Sequence, residues 1–166
     1  MIYLNTLVEC RFGVEGIKVT IKWNSYLWEK PVTAEKENIE EIENLYGITF
    51  PNNYLEVLRE NQGRIPDPNT IKIGKATVGA GVLYHFNNEE FEAYSVKRKT
   101  QNYKDEIPNK IIPFMGTGGG SDFGFDFRES SNNPKVVFII SDFEGEEAIR
   151  QVANTFTEFL SLLHED

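Results

Sequence analysis

Apolar and polar residues alternate strictly along Ile17-Lys18-Val19-Thr20-Ile21-Lys22-Trp23, which puts Ile17, Val19, Ile21 and Trp23 on one face of a strand. Leu7–Phe12 can pair with this strand across the Gly-bounded turn Gly13-Val14-Glu15-Gly16, so the chain is expected to open with a β-hairpin. Pro31 separates this β-rich extension, residues 1–30, from a main domain expected over 31–166. The period then changes. At ~100° per residue, Ile39, Ile42, Leu45 and Tyr46 share one helical arc, with Glu40, Glu41 and Glu43 mostly elsewhere. Thr33 is a candidate N-cap, Glu35 suits the positive end of the helix dipole, and Gly47 supplies a stop. After Pro51 a second helix carries Tyr54, Leu55, Val57, Leu58 and Asn61 on one side and Glu56, Arg59 and Glu60 on the other, ending at Gly63.

Such a helical hairpin needs a sheet to pack against. The strand candidates are Thr70–Ile73, Val78–Phe86, Ile111–Met115, Ser121–Phe127 and Lys135–Ile140, and the fourth places Phe123, Phe125 and Phe127 on one face. Asn88–Tyr103 reads as a helix or helical loop. Val152, Phe156, Phe159, Leu160 and Leu163 form a last helical stripe, which Ile149 extends, so that helix is expected to begin near Glu146. Helices and strands intersperse without a βαβ rhythm. The expected fold is a single α+β domain.

The chain's 166 residues suit one domain with one core. The longest apolar run, Val136–Ile140, is far short of the ~20 residues of a membrane span, and Asn5, Thr6, Glu9 and Arg11 interrupt any secretory apolar segment. Cys10 stands alone, so no disulfide framework is expected. These features predict a soluble cytoplasmic protein. Its 26 acidic residues against 17 Lys and Arg give a net charge of −9, which repels a phosphate backbone and argues against nucleic acid as a partner. Lys97-Arg98-Lys99, the one dense basic run, reads as a solvated helix face. Acids predominate over residues 29–60 and 122–150. Such a surface suits solubility, and it also suits a basic protein partner.

Chemistry-bearing candidates are few. Gly116-Thr117-Gly118-Gly119-Gly120-Ser121 invites a phosphate-loop reading, but a strand pattern follows it instead of a helix, and its first charge, Asp122, is negative. It is read as a turn between two strands. Asp122, Asp126, Asp142, Glu144, Glu146 and Glu147 match no calcium-loop spacing and form either a solvated rim or a protein-docking edge. His85, His164 and Cys10 show no local dyad pattern, and Ser121 lacks the flanks of a nucleophile elbow. Trp23, Tyr26 and Trp28 with Asn24 are read as packing residues, with a stacking platform as the alternative.

The run Ile39–Tyr54, an acidic helix, a turn ending in Phe50-Pro51 and then Tyr54, resembles the opening of the SUKH superfamily, which includes the Smi/Knr-like proteins. Asn61-Gln62-Gly63 stands where that family has Asn-Gly-Gly. Pro113-Phe114 with Gly119-Gly120-Ser121-Asp122 is similar to its Pro-Phe and Gly-Gly-Asp segment, and Phe156, Phe159 and Leu160 to its closing helix. The resemblance implies a mixed, largely antiparallel sheet flanked by helices, with no catalytic residues and no cofactor. It further implies a bacterial immunity protein that neutralises a polymorphic toxin, often a nuclease, by binding it; regulatory scaffolds are the eukaryotic relatives. The acidic set above would then be the partner-binding face. The alternatives are a regulatory scaffold protein and, behind it, a small-ligand or metal-binding enzyme using loop 116–121.

Overall fold

Residues 6–11 and 18–166 are described by the computed structural model. Strands β1 (Thr6–Arg11) and β2 (Lys18–Ser25) pair antiparallel, with Val8 opposite Ile21 and Thr6 opposite Trp23. The expected hairpin therefore forms, while its turn at Gly13–Gly16 lies outside the described residues. Ile21 and Trp23 are both buried, as the alternation requires. A third strand, β3 (Arg64–Asp67), joins the free side of β2. Its sequence Arg-Ile-Pro-Asp gives little strand signal, and Pro66 is tolerated because β3 is an edge.

Helix α1 (Lys36–Tyr46) starts three residues after the expected cap. Glu35, not Thr33, stands at its N-cap and makes no side-chain cap bond. Ile39 and Ile42 turn inward, whereas Leu45 is 62% exposed and does not share their buried face. Gly47 closes the helix in the left-handed region, φ 66°, its N–H donating to Glu43 O. The Glu43 carboxylate in turn accepts the Phe50 N–H at 2.8 Å and shapes the turn into α2 (Asn52–Asn61). Tyr54, Val57, Leu58 and Asn61 form the buried side of α2.

Six further strands form an antiparallel meander in chain order: β4 (Thr70–Ile73), β5 (Ala76–Leu83), β6 (Ile111–Thr117), β7 (Asp122–Asp126), β8 (Lys135–Ile139) and β9 (Ile149–Ala153). A 3₁₀ turn at Glu92–Tyr94 and helix α3 (Val96–Asn102) bridge β5 to β6. Ser95 caps α3 by accepting the Arg98 N–H. The last helix, α4 (Phe156–Ser161), is shorter than expected. Ile149 and Val152 lie on β9 and not on a helix from Glu146, because Ile149 pairs with Ile139 across β8. Three-residue apolar spacing in a short stretch cannot by itself separate a strand from a helix. Thr155 caps α4 by accepting the Glu158 N–H.

An aromatic cluster occupies the space between the six-stranded sheet and α1, α2 and α4. Phe125 stacks on Phe114 at 4.3 Å between ring centroids and meets Tyr54 edge-on at 4.8 Å. Phe50, Phe123, Phe127, Phe156 and Phe159 are buried around them. Burying each such ring contributes roughly 1.5–3 kcal/mol, so the alternation of β7 fixes which sheet face meets the helices. A smaller cluster, Ile107, Ile111, Val137, Ile139, Ala148 and Ile149, lies apart from it with Tyr103 packed against it. Among the described residues, no helix is long and apolar enough to cross a membrane.

Candidate functional site

The connection from β8 to β9 leaves the sheet and returns within a few residues. Ile140 N–H donates to Ala148 O at 2.8 Å, and Gly145, at φ 61°, donates its N–H to Glu106 O at 2.7 Å. The ring of Phe143 is 49% exposed at the tip. Asp142, Glu144, Glu146 and Glu147 are exposed beside it. Four of the six expected partner-facing acids thus share one loop.

Asp126, at the end of β7, is joined to this loop through Arg128. The guanidinium donates to both Asp126 oxygens (Nε to Oδ1 at 3.0 Å, Nη2 to Oδ2 at 2.7 Å) and also to Glu146. Burial pushes the Asp126 carboxyl pKa up, but the Arg128 side chain and backbone N–H outweigh that and hold it below the ordinary range. The hydrogen bond from Arg128 lowers Glu146 as well. Asp142, Glu144 and Glu147 therefore present the remaining acidic charge of this end.

Asp122 does not belong to that surface. It is 2% exposed, and its two oxygens accept the hydroxyls of Tyr84 and Tyr103. Burial raises its carboxyl pKa, partly offset by the hydrogen bonds from Tyr103 and Tyr84. Burial, reinforced by the charge of Asp122, pushes both tyrosine hydroxyls up. The sequence pattern placed Asp122 opposite the phenylalanines correctly. It could not register that α3 and the chain after it cover that side of β7, bringing Tyr103 onto the carboxylate. Gly116 completes the arrangement: a Cβ there would stand 2.6 Å from the Tyr84 hydroxyl.

The glycine-rich segment is a β6–β7 turn, as expected, with Gly120 at φ 86°. His85 is fully buried, its Nε2 2.8 Å from Phe91 O and its Nδ1 accepting the Asn87 N–H at 3.0 Å. That pattern corresponds to a neutral ring with both nitrogens engaged, and burial lowers its pKa. His164 pairs through its backbone with Thr70, and Cys10 lies opposite Val19 on β1, so neither neighbours His85 in the sheet. The aromatic trio also separates. Trp23 is in the core, Trp28 meets His85 and Phe91 edge-on and donates its Nε1–H to Glu90 at 2.7 Å, and Asn24 pairs with Ile65. Only Tyr26, 54% exposed, faces outward, its ring edge against Tyr94.

The residues that carried the family resemblance have structural places. Phe50, Tyr54, Phe156, Phe159 and Leu160 are core, and Pro51 is the N-cap of α2. Asn61 Nδ2–H donates to Val57 O. Gly63, at φ 77°, lies so close to Trp28 that a Cβ would come within 2.7 Å of its ring. Gln62, the departure from the pattern, is put to use: its Nε2–H donates to Val32 O and its Oε1 accepts the Phe86 N–H, both at 2.9 Å. Pro113 sits where the β6–β7 register shifts, beside Phe114. Among the described residues, no group of three or more His, Cys, Asp or Glu side chains is placed to hold a metal ion.

Sequence reasoning missed Phe143 and the two tyrosines on Asp122. Phe143 carried a signal, a lone large aromatic inside an acidic run; Tyr84 and Tyr103 carried none, since their roles depend on chain crossings far apart in sequence. No curated protein matches the chain. The SMI1 / KNR4 family (SUKH-1) pattern matches residues 33–162, from just before α1 to the end of α4, and the chain belongs to this family.

Proposed function

We propose that this chain is a non-catalytic protein-binding module of the immunity type, which neutralises a toxin domain by covering a basic surface on it. The observation that carries the reading is the 140–148 loop, where an exposed aromatic ring is set among Asp142, Glu144 and Glu147, with Glu146 and Asp126 held beside them by Arg128. Aromatic side chains, Phe among them, are enriched in protein interfaces, and surrounding charges of one sign steer a partner of the other. The overall charge of −9 adds to the same field. The loop is one part of an interface, since a standard one buries about 1,600 Å² in total. Family membership supports a protein partner, and a nuclease domain, with a groove built for phosphate, is the partner chemistry that suits this charge.

The test is association with toxin domains encoded beside this chain, together with protection of cells that express them. Asp142→Lys with Glu144→Lys should slow association by about tenfold at low salt and much less at high salt. Phe143→Ala should act instead on dissociation. Unchanged protection and unchanged rates in both variants would remove this loop from the interface. Failure of the unmodified chain to protect against any neighbouring toxin domain would remove the immunity reading.

A further inference from the structure

We propose a second site, independent of the acidic loop: the cleft between Tyr26, Tyr94, Lys99 and the Gly118–Gly120 turn binds a small aromatic anion, a flat ring bearing a phosphate or carboxylate. The cleft has a volume of about 480 Å³, and Tyr84 and Asp122 also line it. That volume falls within the ~300–1,000 Å³ typical of small-ligand sites.

Charge comes first. Asp122 turns both oxygens to tyrosine hydroxyls and is 2% exposed, while Lys99, whose charge also acts on Asp122, is the cation that lines the cleft. Its ammonium stands 5.2 Å from the centroid of the Tyr84 ring. The glycine turn lacks a cation in its own sequence, and α3 supplies one from outside it.

The glycines give the second observation. Gly116 and Gly81 are required by the fold, because a Cβ at either would press on Tyr84 or on the Gly116 carbonyl. Gly118, which lines the cleft, is not: it has no positive φ, and a Cβ there would meet nothing within 4 Å. Conformation and packing leave its lack of a side chain unexplained, whereas close approach of a ligand to the backbone accounts for it; the next N–H, that of Gly119, is held by Thr117 Oγ1 at 3.3 Å. The third observation is the wall. Tyr26 and Tyr94 lie edge to face at 6.1 Å, with Tyr26 54% exposed, so the aromatic surface at the mouth is open to a flat ring.

The experiment is an amide and aromatic NMR titration of the full chain with adenosine monophosphate and with 4-hydroxybenzoate, using inorganic phosphate as the ring-free comparison. Saturable shifts at Gly118–Ser121 and the Tyr26 ring are expected with at least one aromatic probe, and which one responds tells a phosphate from a carboxylate ligand. Lys99→Met should weaken binding about ten- to hundredfold, the loss of one charged hydrogen bond. Gly118→Val should leave the melting temperature unchanged, because the space around residue 118 is open, and still weaken binding by about tenfold or more. The proposal is overturned if neither aromatic probe saturates, if inorganic phosphate alone binds as tightly, or if either variant binds like the unmodified chain. A Gly118→Val chain that fails to fold overturns it too, since the glycine then serves the fold. Charge reversal at Asp142 and Glu144 should not alter this titration, so the two readings fail separately.

Discussion

Gly116→Ala adds one methyl group against the hydrogen bond that Tyr84 donates to Asp122. The new Cβ would stand 2.6 Å from the Tyr84 hydroxyl oxygen and 3.2 and 3.3 Å from two of its ring carbons. Ordinary contact begins at 3.4 Å, so the hydroxyl must retreat by about 0.8 Å, which takes it out of line with Asp122. A hydrogen bond to a charged group contributes roughly 1.5–3 kcal/mol. Gly116 has no positive φ, so alanine brings no backbone strain and recovers about 0.4–1 kcal/mol from the unfolded chain. The expected net loss is about 0.5–2.5 kcal/mol. Tyr84→Phe removes the same bond directly and should cost ~1.5–3 kcal/mol. In the double variant the methyl group no longer meets an oxygen, so Gly116→Ala should add little to Tyr84→Phe, a coupling of about 1–2 kcal/mol. Equilibrium urea unfolding of the four proteins, compared at constant m-value, measures each corner of this cycle. Strict additivity would refute the argument, because it would mean that the methyl group acts on stability without passing through the Tyr84–Asp122 contact.

Three other outcomes follow from the same structure. Because burial raises the Asp122 carboxyl pKa above its ordinary 3.8, folding takes up a proton there, and the stability this group allows falls as pH rises from that value through the folded one. Asp122→Asn does not titrate, so its stability relative to the unmodified chain should climb as pH rises above about 4, and a declining difference would contradict this. The Tyr54 hydroxyl is buried with no hydrogen-bond partner among the described residues, so Tyr54→Phe should be neutral or stabilise by up to about 1 kcal/mol in thermal or urea unfolding. Arg128→Ala should cost about 1 kcal/mol at neutral pH through the loss of its two-point contact with Asp126. Since the folded Asp126 pKa is depressed, that cost should fade as pH falls through the folded value, and a cost that persists in acid would point to packing.

Local pattern carried much of this protein. The alternation of Phe123, Phe125 and Phe127 already says which face of β7 turns to the aromatic core, and Gly47 with Phe50-Pro51 already marks the turn between two helices. Both are legible because backbone geometry sets a period of two or 3.6 and burial rewards apolar residues that keep to it. The family resemblance rests on the same residues, for Phe50, Tyr54, Phe114 and Phe156 are core positions whose spacing the fold dictates. Segments without such a period were misjudged. Ile149–Ala153 is short enough to suit either structure, and the partner edge of β8 decided it; Arg64–Asp67 became a strand because β2 was there to pair with.

The sites depended on contacts between distant parts of the chain. Composition gave the negative charge, but the structure drew Asp122 inward beneath Tyr84 and Tyr103 and gathered Asp126 and Glu146 on Arg128. It left Phe143 exposed among acids and set Lys99 beside a turn that has no cation of its own. The physical reason is range. Periodicity acts over a few residues, whereas the charge that a carboxylate or ammonium shows to a partner depends on what burial and hydrogen bonding from remote segments leave of it.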